Sequence, residues 1–206
     1  MAVRPVALGL AGALLALAAL VGCQGNTQYP GGLPADTPGA GPTASCETAP
    51  EQPHDPMRLF FPTQRLRVDV TRVGLTDTQD FNMVPLDAAP LVAGWYCEGV
   101  RPGEPGPAVM IGHVDWGGSR AAFGRIAALK TGEPIQVTRR DGTQVDYRVS
   151  GRQQVKKASF PFDRVFGDLP VSRLTLITCG GTFDHRARSY VDSDIIYANT
   201  DPAGSG

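Results

Sequence analysis

Histidine is scarce in this chain of 206 residues: it has three, alongside four cysteines. No pair of them has zinc-ligand spacing, which leaves a metal site without support. Long runs of like charge are missing as well, and the formal net charge is −1. A surface built to track phosphates needs clustered Lys and Arg, so binding to DNA or RNA is not expected. Internal repeats are absent. Large apolar side chains are nearly missing from residues 24 to 56, a stretch of Pro, Gly, Thr, Ala and Asp. Such a segment cannot bury enough surface to offset its ordering entropy, and it reads as an extended tether. The one long apolar run, Val6 to Val21, is too short and too rich in small residues for a confident membrane span.

That run follows a positive Arg4 and ends in Leu20-Val21-Gly22-Cys23. The pattern is a targeting signal, and its end resembles the bacterial lipobox, whose cysteine is acylated and becomes the new N-terminus. An ordinary secretory signal and an uncleaved anchor are the other readings. Each of them places the folded part at the outer face of the cytoplasmic membrane. The chain thus divides into a signal at 1–22, a tether at 23–56, one domain at 57–200 and a flexible tail at 201–206. A domain of this size buries about 68–70% of its unfolded surface, so a single core suffices. With Cys23 as the lipid site and Cys179 discussed below, Cys46 and Cys97 remain in a compartment that permits disulfides. They stand either as two thiols or as a bridge pinning the tether to the domain, and the bridge is the hypothesis carried forward.

Patterning within the domain favours strands. Arg65–Val70 alternates, and Ala108–Gly112 is a continuous apolar run. Pro134–Thr138 and Thr143–Val149 flank Asp141-Gly142, a strong hairpin signal. Gln153–Lys157 is read as extending the sheet, followed by strands at Leu174–Cys179 and Ile195–Ala198. Phe123, Ile126 and Leu129, three apart, suggest a helical turn or two between Ala121 and Leu129. Short strands at this spacing with Gly and Pro turns indicate a closed all-β barrel, with a sandwich as the competing architecture.

Chemistry points to the end of one strand. Leu174 to Cys179 is closed by Gly180-Gly181, so a thiol stands at a strand mouth where bare backbone allows close approach. An inert buried thiol is the bland alternative. A thiol of ordinary pKa is mostly protonated at neutral pH and normally needs a basic partner. His54 lies in the tether. His185 follows the cysteine by six residues in a polar loop. His113 directly follows the apolar strand and is the better candidate for general acid/base. An oxyanion donor completes such a site, and Arg186 and Arg188 lie downstream, always charged and forked.

The pair Gly112-His113-Val114-Asp115 and Leu176-Ile177-Thr178-Cys179-Gly180-Gly181, about 66 residues apart, resembles the sortases of Gram-positive bacteria. Class F of the actinobacteria is the group it most resembles, also through Ala93-Gly94-Trp95-Tyr96, the Pro102–Gly106 turn, Phe183-Asp184 and Tyr190-Val191-Asp192. The resemblance implies an eight-stranded β-barrel with one or two short helices and a cysteine transpeptidase without cofactor or metal. Cys179 would be the nucleophile and His113 the acid/base. Arg188, nine residues after the cysteine, would be the arginine, with Arg186 as the alternative. Implied partners are secreted proteins bearing an LPxTG-like motif and an amine of a cell-wall precursor. A hydrolase resolved by water and an inactive, lipid-tethered binding module on the same fold are the rival functions. The Ser-His-Gly-Cys signature of L,D-transpeptidases is absent.

Overall fold

A computed structural model describes residues 45–76, 81 and 83–200. The signal at 1–22, Cys23, most of the tether and the tail at 201–206 lie outside the described residues. Eight strands close into a barrel: β1 (Pro56–Phe61), β2 (Leu66–Val73), β3 (Ala93–Tyr96), β4 (Gly106–Ile111), β7 (Pro134–Arg139), β8 (Gln144–Lys156), β9 (Ser172–Asp184) and β10 (Ser189–Thr200). Their order around the barrel is β1-β2-β3-β4-β9-β10-β8-β7. Pairing is antiparallel except at β2/β3 and β4/β9. A two-stranded ribbon, β5 (Asp115–Trp116) with β6 (Ser119–Arg120), stands apart from the barrel sheet. Two short helices, α1 (Val84–Ala88) and α2 (Phe162–Phe166), complete the set. The closed barrel implied by the resemblance is the one observed.

Alternation along the strands sorts side chains into two cores. Leu59, Phe61, Val68, Trp95, Met110, Leu174, Leu176 and Ile196 fill the barrel. Residues of the opposite parity, Val109, Ile111, Ile177, Ile195 and Tyr197, form a second cluster with Leu86 of α1 and Val165 of α2. Strands β4, β9 and β10 are therefore buried on both faces, which is why their cores read as unbroken apolar runs. Between Ala121 and Leu129 the structure holds a 3₁₀ turn at Ile126–Ala128 in place of an α-helical segment. A spacing of three suits that tighter winding, and Phe123, Ile126 and Leu129 all reach the barrel core. Asp141 and Gly142 do turn the β7–β8 hairpin, with the Asp141 carboxylate accepting from the Thr143 amide and hydroxyl.

One boundary needs correction. The tether was expected to run to residue 56, yet Ser45–Asp55 packs on the barrel. Cys46 and Cys97 are joined in a disulfide, with Cα atoms 5.7 Å apart. The Arg72 guanidinium donates to the Cys46 and Ala49 carbonyls and pairs with Asp55, which is 2% exposed. Arg101 Nε donates to the other Asp55 oxygen at 2.9 Å. Burial alone would raise the Asp55 pKa; the Gln52 amide and the two arginines outweigh it and hold the carboxyl below its ordinary value. This strap is ordered by a covalent bond and buried charge pairing, neither of which its apolar-poor composition signals. The bridge spans 51 residues, so chain-entropy reasoning gives it about 4 kcal/mol. Replacing both cysteines with serine should lower the unfolding free energy by about 2–4 kcal/mol, read from urea melts.

Among the described residues, no helix is long and apolar enough to cross a membrane.

Candidate active site

Two parallel neighbours set the geometry. Strands β4 and β9 pair with a constant offset of 66 residues, from Gly106↔Ser172 to Ile111↔Ile177. Pairing persists one residue further: the Gly112 amide donates to the Ile177 carbonyl, and the Thr178 hydroxyl donates to the Gly112 carbonyl at 2.8 Å. The same offset brings His113 level with Cys179, on strands spaced about 4.8 Å apart. Gly112 has to be bare, because a Cβ there would lie 2.8 Å from the Phe123 ring. Gly180 is equally constrained, since its Cβ would fall 2.4 Å from a carboxylate oxygen of the buried Asp194. The glycines and the threonine around these two residues thus serve their placement.

Cys179 carries a half-buried thiol outside any disulfide. His113 is 4% exposed, and its Nε2 lies 3.0 Å from Asp87 Oδ1. An ionised carboxylate only accepts, so in the neutral ring Nε2 carries the proton. Nδ1 is then the basic nitrogen, the one able to take a thiol proton. Asp87 is delivered by α1, which Leu86 anchors in the second core. Burial pushes the His113 pKa below its ordinary value, and the Asp87 and Asp115 carboxylates offset part of that. The site also has a roof. The Trp116 ring sits 4.7 Å from the imidazole, and the Tyr190 hydroxyl donates to Asp115 at 2.9 Å, latching the β5–β6 ribbon to β10.

The remaining sequence candidates lie elsewhere. Strands β9 and β10 form one hairpin whose turn is His185–Arg188. Cys179 pairs with Ser193, and the turn begins after Asp184, five residues further along β9. At about 3.3 Å per residue that is roughly 16 Å. Arg186 and Arg188 are exposed there, and among the described residues neither guanidinium makes a hydrogen bond or ion pair. His185 is exposed and packs edge-on against Phe183. His54, in the strap, lies 3.5 Å from Asp141. Register therefore unites Cys179 with His113 and not with the arginines. Asp87 escaped the sequence reading because a helix of five residues leaves no periodic trace. Among the described residues, no cluster of three or more His, Cys, Asp or Glu is arranged to hold a metal.

Asp87→Asn tests the orientation and charge that this carboxylate supplies. Turnover should fall about tenfold, the rate equivalent of ~1.4 kcal/mol. The His113 pKa should move further down, because a contact that favours imidazolium is lost. NMR titration of the ring carbons reads the second effect; an unchanged or raised pKa would contradict it.

Comparison with known proteins comes down on one fold. A family model described as Sortase domain matches residues 65–200. Sortase C1 from Streptococcus agalactiae aligns with a TM-score of 0.57 at 15% identity, over 76% of this chain and 74% of that one. Sortase C-1 from Actinomyces oris gives 0.54 at 20% identity, over 72% and 75%. Sortase A from Corynebacterium diphtheriae gives 0.54 at 18%, over 75% and 65%. No curated protein matches the chain. At these identities the structural likeness is one of fold, and the chemistry has to be argued from the site.

Proposed function

The chain belongs to the sortase family, a family of transpeptidases, and on that premise we propose that it is a cysteine transpeptidase, closest to class F, acting on a C-terminal LPxTG-like motif. The observation that carries this reading is the parallel register of β4 with β9, continued by the Thr178–Gly112 bond, which aligns His113 with Cys179. His113 takes the Cys179 proton through Nδ1, and Asp87 steadies the imidazolium that forms. The thiolate attacks the scissile carbonyl carbon; a C–S bond forms and the carbonyl electron pair moves onto oxygen. As that pair returns, the C–N bond breaks and the imidazolium protonates the leaving amine. An acyl-thioester on Cys179 remains. An amine of a cell-wall precursor then attacks it, gives its proton to His113, and restores the thiolate. Proton delivery and removal by one histidine at both stages is ordinary acid/base catalysis.

Its working place, on this proposal, is the outer face of the cytoplasmic membrane, held by a lipid on Cys23 or by an N-terminal anchor. Incorporation of a clickable fatty acid, lost in Cys23→Ser, distinguishes the two attachments.

The deciding experiment incubates the full chain with sorting-motif peptides, with and without an amine acceptor, and follows products by mass. An enzyme-bound thioester and an amine-dependent ligated product are expected. A product resolved by water alone, whatever amine is supplied, would make the protein a hydrolase. No covalent adduct with any peptide would make it a binding module.

A further inference from the structure

We infer that Ser193 is a catalytic residue of this site, its hydroxyl donating a hydrogen bond to the oxyanion that forms when Cys179 attacks. The inference rests on Cys179 being the nucleophile. Cys179 has a strand on each side. On one side β4 leads into His113. On the other, β10 places Ser193 directly opposite Cys179 in antiparallel register. Residues opposed in this way share a face, with Cβ atoms about 4.5–5.5 Å apart. The next row inward confirms the parity, since Ile111, Ile177 and Ile195 all lie in the second core. The site row therefore runs His113, Cys179, Ser193.

The chemistry of that position is unusual for its surroundings. Ser193 is 1% exposed. Its same-face neighbours along β10 are Ile195 and Tyr197, and across the strand pair on its far side lies Val155, packed against the same apolar cluster. Among the described residues its hydroxyl makes no hydrogen bond within the protein, and it is not among the fully enclosed polar atoms. A hydroxyl gains little from aliphatic neighbours, and an alanine or valine would suit the packing better. The residue opposite it in the row carries the half-buried thiol, where charge develops during reaction. A preorganised donor aimed at developing charge in a dry site is what stabilises such a transition state. The other donors that the sequence offers, Arg186 and Arg188, sit in the exposed turn roughly 16 Å along the hairpin. Ser193 exchanges no proton in this role. It bonds the oxygen while the C–S bond forms, and it is released when the electron pair returns and the C–N bond breaks.

The test compares Ser193→Ala and Ser193→Thr in the full chain by two reactions of the same thiol. Acylation by a sorting-motif peptide passes through an oxyanion; alkylation by iodoacetamide does not. For Ser193→Ala the single-turnover acylation rate should fall about 10²–10³-fold, with peptide affinity little changed. Alkylation should stay within a few-fold of the parent across pH. Ser193→Thr, which retains a hydroxyl, should recover most of the acylation rate. Parallel losses of acylation and alkylation would mean a structural role and overturn the inference, as would wild-type acylation by Ser193→Ala. A larger turnover loss in Arg188→Lys than in Ser193→Ala would move the donor to the turn and overturn it too. Failure of the underlying reading looks different: Cys179→Ala would then still transfer acyl groups, or the parent would acylate with no peptide while its thiol alkylates normally.

Discussion

Cys179→Ala should abolish acyl transfer while leaving the barrel folded. The thiol is half-buried at the last position before two glycines, outside both hydrophobic cores, so its removal takes little packing with it. A substitution of this kind typically costs stability of the order of 1 kcal/mol or less. The chemical loss has no such ceiling, because among the described residues no other cysteine can stand in: Cys46 and Cys97 are bonded to each other. Mass spectrometry of the peptide incubation should show no enzyme-bound adduct, and the thermal unfolding midpoint should stay within a few degrees of the parent. Ligated product at more than a few per cent of the parent rate would remove Cys179 from the mechanism.

The next largest loss is expected at the base. His113→Ala should reduce turnover by about 10²–10⁴-fold, the range for a positioned acid/base. His185→Ala should change it by no more than a few-fold, since that ring is exposed in the far turn. Equal losses at the two positions would undo the assignment. A pH signature accompanies it. Burial depresses the folded-state pKa of His113 below the ordinary value of 6.5, so the unfolded chain takes up its proton first as pH falls. The neutral imidazole's contribution to stability is therefore complete above about pH 6.5 and is lost progressively as pH drops toward the folded-state value. In His113→Gln, which cannot be protonated, that part of the acid-side slope in urea melts should disappear.

How much of this was legible in the residues depends on how locally each feature is encoded. Strands β2, β4, β7, β9 and β10 were readable because alternation or an unbroken apolar run is a local signal, and the β7–β8 turn because Asp-Gly favours it. Strand β1 was not read: Pro56–Phe61 follows a proline-rich stretch and shows no clean alternation. Helices α1 and α2, of five residues each, are too short for a helical period to register. The strap at Ser45–Asp55 looked like tether because its order comes from a disulfide and from two distant arginines, Arg72 and Arg101, contacts that composition does not contain.

By itself the sequence determined that the domain is all-β, that a cysteine follows the apolar run of one strand, and that a histidine follows the apolar run of another 66 residues earlier. These are properties of short segments, expressed through side-chain periodicity and backbone freedom. The glycine pair expected to close the cysteine's strand instead lies inside it, since β9 runs on to Asp184. Only the tertiary structure decided which groups share the site. Parallel pairing of β4 with β9 turned the 66-residue spacing into a register that, carried on past Gly112 and Thr178, sets His113 level with Cys179. Packing of α1 added Asp87. Antiparallel pairing of β10 set Ser193 beside the thiol and carried Arg186 and Arg188 out to the turn. The physical reason is that register is a property of a strand pair, fixed by which faces two distant segments bury together. No single stretch of chain carries that information.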